Sequence, residues 1–331
     1  MVVGLQGRCI ILEEISVKKK SLRDRMKILL KRIVANWQIY LLLLPLIIWL
    51  ALFAYRPMRG LIMAFQNFSP FLGISESPWV GLANFQNLLF GHGSALFWRA
   101  VRNTVTISMY QLIFGFPAPI ILAIMFHELK KGKFKNISQS ILLLPNFLSE
   151  VIIAGIVIAF LQPQTGIINH LLVNIGVLNE GIYFLTRAEW FRSIFVFIGI
   201  WAGAGFTSLI FFSALLSIPH SLYEAAELDG ATRIQRILHI SIPGILPVIT
   251  VMFIMAVGGI LSVGFERILL LYQPVTYETA DVIATYVFRL GIEQNNFALG
   301  ATAGLLNAVV ALILVVMANT ISKKLSSNSL W

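Results

Sequence analysis

The sequence is poor in charge. Only 12% of its 331 residues are aspartate, glutamate, lysine or arginine, against about 25% in a soluble domain. A chain this apolar cannot cover itself with polar surface, which excludes an ordinary water-soluble fold. Cysteine is nearly missing: Cys9 stands alone, so no disulfide can close within the chain. Cys9 follows a charged Arg8 in "LQGRCII", which argues against a lipidated cysteine. Catalytic signatures are missing too, with no Gly-x-Ser-x-Gly and no His-Glu-x-x-His. There is no phosphate loop: Gly132-Lys133 is followed by Phe134, where the loop needs Ser or Thr. His92, His127, His170, His220 and His239 are scattered along the chain and read as surface or interface residues. No catalytic residue, metal site or cofactor is expected on this chain.

What the sequence has instead is long apolar runs. Hydrophobic residues make up 58%, and runs near the ~20 residues that cross a bilayer recur. Six are read: 38–55, 103–126, 140–162, 194–216, 245–265 and 299–321. In lipid the backbone must satisfy its own hydrogen bonds, and runs of this length do so as helices. The expected fold is an all-α integral membrane protein with six transmembrane helices.

A net charge of +10 raises nucleic acid as a partner, but its placement excludes that reading. All eleven lysines fall before the first run, between runs two and three, or after the last. With six spans and the N-terminus inside, each of those places is cytoplasmic. Seventeen basic residues then lie inside and eight outside, the asymmetry that orients membrane proteins. Arg99 and Arg102 run against it. Both termini are expected in the cytoplasm of a multi-pass protein of the bacterial cell membrane.

Residues 1–36 are basic and partly amphipathic ("SLRDRMKILLKRIV") and are expected to lie on anionic lipid, without a cleaved signal. The first span and an outer segment cover 37–101, a core covers 102–322, and a tail covers 323–331. Pro45 predicts a kink in span one, and "GFPAP" (Gly115 to Pro119) a bend in span two. Gly199, Gly203 and Gly205 in span four serve close packing, a hinge or a pore wall. Gly300 and Gly304 form a small-xxx-small pair that permits helix contact.

One stretch breaks the apolar pattern: "IPHSLYEAAELDGATRIQRILHISIPGILP", Ile218 to Pro247. Ser217 and Pro219 predict a helix start, with the Ser217 hydroxyl as cap. Asp229-Gly230 predicts its end, with Gly230 free to take positive φ. Thr232 and Gln235 read as a capping box for a second helix. That helix is expected to end at Pro243. The result is two short helices around a glycine corner.

The spacing here resembles the signature of permease subunits of ABC-type importers: Glu224-Ala225-Ala226, Gly230, then Ile240, Ile242 and Pro243. Ile242 stands where that signature has Leu. "PWVGLANF" at 78–85, "GFPAPIILA" and "VGFERILLLYQPVTYETADVIATYVFRLGI" are similar to the permeases of oligosaccharide and polysaccharide importers, over about residues 36–331. The resemblance implies a five-helix type I importer core plus an N-terminal helix. It implies that 218–243 are coupling helices docking in a cleft of a separate ATPase. Ala225 and Ala226 would fit a shallow groove, Glu224 would pair with a basic group, and Gly230 would make the corner. Ile240 and Pro243 would complete the docking element. The implied partners are a second, similar but distinct permease, two ATPase subunits holding ATP and Mg, an extracytoplasmic sugar-binding protein, the oligosaccharide and membrane lipid. The implied mechanism is alternating access driven by ATP.

A self-contained secondary transporter is the alternative. It calls for inverted repeats and intramembrane ionisable groups. Neither is evident, since Glu150 and Glu266 read as near span ends. A membrane enzyme is a third class, without a motif to support it. For the substrate path, Trp201, Phe206, Phe211 and Phe212 offer rings to stack on sugars. Ser208, Ser213, Ser262, Asn307 and Glu266 offer polar groups. Arg267 and Arg289, both outside, favour an acidic sugar or bind the docking protein. The segments 56–101 and 266–298 are expected to receive that protein.

Overall fold

The computed structural model describes residues 35–130, 132–259, 261 and 263–325. The helix expected of the basic N-terminal segment before residue 35, the path residue Ser262 and the tail beyond residue 325 lie outside the described residues. The chain forms two compact units, Met1–Leu61 and Ile62–Trp331.

In the first unit, α1 (Trp37–Trp49) contains Pro45. Its hydrogen-bond ladder then widens to a π-helical stretch at Leu50–Tyr55. Every residue of α1 is exposed. A helix apolar on all sides and unburied within its own chain suits lipid or another membrane chain as its surroundings.

The second unit is helical, and its described residues hold one isolated bridge, Gln66 to Trp79, as their β-structure. Span two is α2 (Ser94–Tyr110), a π-helical turn at Gln111–Gly115 and α3 (Pro117–Glu128). The "GFPAP" bend takes the form of that turn. Pro117 and Pro119 have no N–H to donate. The ladder shifts to a longer reach ahead of them, with Phe116 N–H on the Gln111 carbonyl at 3.0 Å.

The third run, 140–162, is not one straight helix. α4 (Lys133–Leu143) passes into a 3-10 turn at Leu144–Phe147, and α5 (Glu150–Leu161) restarts at an angle of 105°. Pro145 removes a donor from the ladder. Ser149, extended at ψ 153°, caps the new helix by accepting from the Ile152 N–H. Among the described residues five helical spans are long and apolar enough to cross a membrane, or six where this bent pair counts as one span.

Span four is the unbroken α6 (Ala188–Leu216). It packs so closely on α4 that a β-carbon at Gly205 would run into the Leu142 carbonyl. After it come α7 (His220–Leu228), α8 (Arg233–Arg236), a π-helical turn at Ile237–Ser241 and α9 (Ile242–Gly258). α10 (Phe265–Leu271) and α11 (Ile283–Phe288) lead to the last span, α12 (Phe297–Leu325). Of the small-residue pair in α12, Gly300 makes the close contact: its β-carbon would lie 2.9 Å from the Gly291 Cα, whereas Gly304 faces open space.

Ile107 of α2, Phe195 of α6, Ile268 of α10 and Val282, just ahead of α11, anchor the largest buried cluster. A second joins Ala123, Phe211, Leu215 and Ile245. In lipid, which is as apolar as these side chains, such contacts hold the helices together by close van der Waals packing. The two clusters fix α6 against its neighbours on either side of the cavity described next.

Candidate functional site

The first candidate site is the corner at 218–243. Ser217 does not cap α7. Its backbone is still helical (φ −80°, ψ −12°), and its hydroxyl donates back to the Ala214 carbonyl at 2.7 Å. Pro219 takes the cap position instead. The end of α7 follows its sequence. Gly230 has φ +76°, and the Ala231 N–H reaches the Ala226 carbonyl at 2.9 Å. The expected capping box is present at Thr232 and Gln235. Arg236 donates to Glu227 at 2.9 Å and clips the two helices together. Pro243 does not end a helix. The π-helical turn carries the chain straight from α8 into α9, and Pro243, which has no N–H to donate, follows directly on that widening of the ladder.

Ala226, Gly230 and Ile240 line a notch of about 360 Å³ between the short helices, with Arg236 and His239. Glu224, Ala225 and Pro243 are exposed outside it. Leu228 is 90% exposed and Ile234 68%, an unusual cost for apolar side chains in water. Among the described residues the ion-pair partner of Glu224 is His220, at 4.0 Å.

The sequence reading missed Tyr223. It is buried, with its hydroxyl 3.0 Å from the Ser241 hydroxyl and its ring 5.4 Å from that of His127 at the end of α3. A lone aromatic inside a charged stretch was the available signal.

The second candidate site is a cavity of about 390 Å³ between the spans. α6 presents Gly199, Gly203 and Thr207 to it, one face at helical spacing. Gln111 comes from the π-helical turn of span two, Met255 from α9 and Arg267 from α10. Arg267 forks onto Glu150 at the start of α5, Nε to Oε2 at 2.8 Å and Nη2 to Oε1 at 2.7 Å. Arg267 is largely withdrawn from solvent, at 13%, while Glu150 is half-buried. Two parallel charge-assisted bonds make this a directional pair.

The structure does not gather the residues read as a substrate path. Trp201 lines a separate apolar groove with Trp190 and Phe160. Phe206 is exposed. Ser208 is fully buried, with its hydroxyl on the Gly205 carbonyl. Asn307 lines a third groove with Phe97 and Val310, and its buried Oδ1 has no hydrogen-bond partner among the described residues. Phe211 does reach the cavity wall.

Arg289 is committed elsewhere. It forks onto Asp281, whose side chain is wholly buried. Burial works against the Arg289 charge, but the Asp281 hydrogen bonds and charge outweigh it and hold the group above the ordinary arginine range. Asn103 fastens the same segment, donating to the Glu278 and Asp281 carbonyls at 3.0 Å each. Burial, then the hydrogen bond with Tyr277, push the Tyr272 hydroxyl up to about 12.

The chain belongs to the family described as binding-protein-dependent transport system inner membrane component, whose model matches residues 88–327. It is 36% identical over 309 residues to the polygalacturonan/rhamnogalacturonan transport system permease protein YteP of Bacillus subtilis (strain 168), covering 93% of this chain and 95% of that one. It is also 36% identical over 293 residues to protein LplB of the same organism, covering 88% and 91%. Among solved structures, it matches a chain of a bacterial ABC transporter involved in the import of the acidic polysaccharide alginate. The TM-score is 0.82 at 46% identity, over 90% of this chain and 99% of that one.

Proposed function

We propose that this chain forms half of the transmembrane pathway of an ATP-driven importer for an oligosaccharide handed over by an extracytoplasmic binding protein. The observation that carries it is the 46% identity, across 90% of the chain, to a subunit of an alginate importer. A second, similar permease completes the pathway in the bacterial cytoplasmic membrane, with both termini of this chain inside. Two ATPase subunits bind ATP and Mg beneath it. The corner of α7 and α8 docks in an ATPase cleft. Ala225 and Ala226 let its surface approach closely, Glu224 pairs with a basic group, and the notch at Ala226, Gly230 and Ile240 receives a partner side chain. Exposed Leu228 and Ile234 are apolar surface for the same contact. ATP closes the ATPases, the corner moves with them, and the spans alternate between inward-open and outward-open. The segments 56–101 and 266–298 receive the binding protein.

The test is uptake into proteoliposomes. The complex of this chain with its partner permease, ATPases and binding protein should import a labelled oligosaccharide only with ATP inside reach of the ATPases. Uptake driven by an ion gradient without the ATPases, or ATP hydrolysis by this chain alone, would overturn the proposal.

A further inference from the structure

Arg267 lines the membrane cavity and has not spent all its donors. Nε and Nη2 go to Glu150. Nη1, with two N–H groups of its own, faces a hollow over Gly199. A β-carbon built on Gly199 would lie 3.2 Å from Arg267 Nη1 and 3.7 Å from Gln111 Nε2. Two donor nitrogens from different elements therefore flank one space that a glycine keeps open. Gln111 opens the π-helical turn of span two, a distortion that re-aims side chains and recurs at functional sites. The Ser108 and Thr207 hydroxyls also lie on the cavity wall, and no acidic residue does among the described residues.

The geometry points to the hollow between Gln111, Gly199 and Arg267 as a subsite for a carboxylate of the cargo, a uronic-acid unit of a saccharide. The inference rests on the saccharide reading above and names the chemical class within it. The hollow supplies donors, so its ligand must supply acceptors. A guanidinium donor is charged whatever it meets, but a carboxylate adds the opposite charge and a second acceptor oxygen, so that two donors can be met at once; a sugar hydroxyl adds neither. Glu150 is a positioning residue: it grips one edge of the guanidinium and turns the other toward the cavity. Arg289, the other arginine that could favour an acidic sugar, is locked on Asp281.

The experiment uses the assembled importer in detergent, without its binding protein, so that selection by that protein plays no part. Two probes are titrated by saturation-transfer NMR: a galacturonic-acid trisaccharide, and the same trisaccharide with its carboxyls reduced to primary alcohols. Wild type should bind the acidic probe at least tenfold more tightly. Gln111→Glu, which sets a like charge beside the hollow but leaves Glu150 paired, should abolish the preference. Gly199→Ala, which fills the hollow, should abolish it as a second variant should the first not assemble. Equal binding of both probes by wild type, or a preference kept in the assembled variants, overturns the carboxylate assignment and leaves the saccharide reading standing. Binding of neither probe by wild type overturns the saccharide reading and this subsite with it.

Discussion

The Tyr223 hydroxyl lies 3.0 Å from the Ser241 hydroxyl, and both residues are buried. The bond ties the exposed helix α7 to the π-helical turn that begins span five, eighteen residues away. Tyr223→Phe keeps the ring but leaves the Ser241 hydroxyl without this partner. The expected cost is about 1 kcal/mol, read as a lower thermal midpoint of the detergent-purified complex. ATP hydrolysis should also respond less to cargo-loaded binding protein. An unchanged midpoint together with unchanged stimulation would show that the bond is incidental.

Gly230 stands at φ +76° with nothing within 4 Å of a built β-carbon. A substitution there meets backbone strain, not a clash. Gly230→Val should cost about 1–3 kcal/mol and release the ATPase subunits from a permease that still inserts. Gly230→Asn, which tolerates this region, should retain them. Copurification settles the matter: normal ATPase recovery with valine would sink the corner's role.

Glu224 is exposed, and among the described residues its one ion pair is with His220, at 4.0 Å. The fold therefore owes it little, and Glu224→Gln and Glu224→Lys should both give stable, inserted permease. For docking they should differ. Lysine sets like charge against a basic partner and should uncouple transport from ATP hydrolysis or release the ATPase, while glutamine weakens transport only a few fold. Wild-type uptake by Glu224→Lys in proteoliposomes would remove the residue from the mechanism.

Tyr272 titrates at about 12, raised by burial and then by its hydrogen bond with Tyr277, against about 10 for a free tyrosine. The fold favours the neutral phenol. Its stabilising contribution is whole below pH ~10 and is lost as the pH climbs toward 12. The thermal midpoint should fall across that window, and Tyr272→Phe should flatten the fall. A parallel decline in both proteins would assign it to other groups.

Local chemistry made much of this legible from sequence. Gly230 and the Thr232–Gln235 box act on their own backbones, so their spacing alone foretold the corner. The break in the third span was also written, in Pro145 and Ser149: the sequence starts that span after "LLLPNFLSE" (142–150), and α5 begins at Glu150. Ser217 was misassigned because one hydroxyl can cap forward or bond backward, and only its φ and ψ decide. The cavity was not legible. Which face of α6 looks inward depends on how α3 and α9 pack against it. Aromatic chemistry drew attention to Trp201, while the open face belongs to Gly199 and Gly203. Tyr223 and Ser241, or Glu150 and Arg267, meet only through tertiary structure.

The helix that begins at the corner does not stop there. Arg233–Gly258 is one continuous span of 26 residues, and Met252, Met255 and Ala256 near its far end form part of the cavity wall. At about 1.5 Å per residue, some 35 Å separate Arg233 from Ala256. No loop lies between them to absorb a displacement. The helix joins the two places as one rod with two points of give, the π-helical turn at Ile237–Ser241 and Pro247, and a tilt imposed at its foot reaches the cavity through them. The traffic runs both ways: whatever cargo does to Met255 is felt at Arg233, with the same coupling free energy.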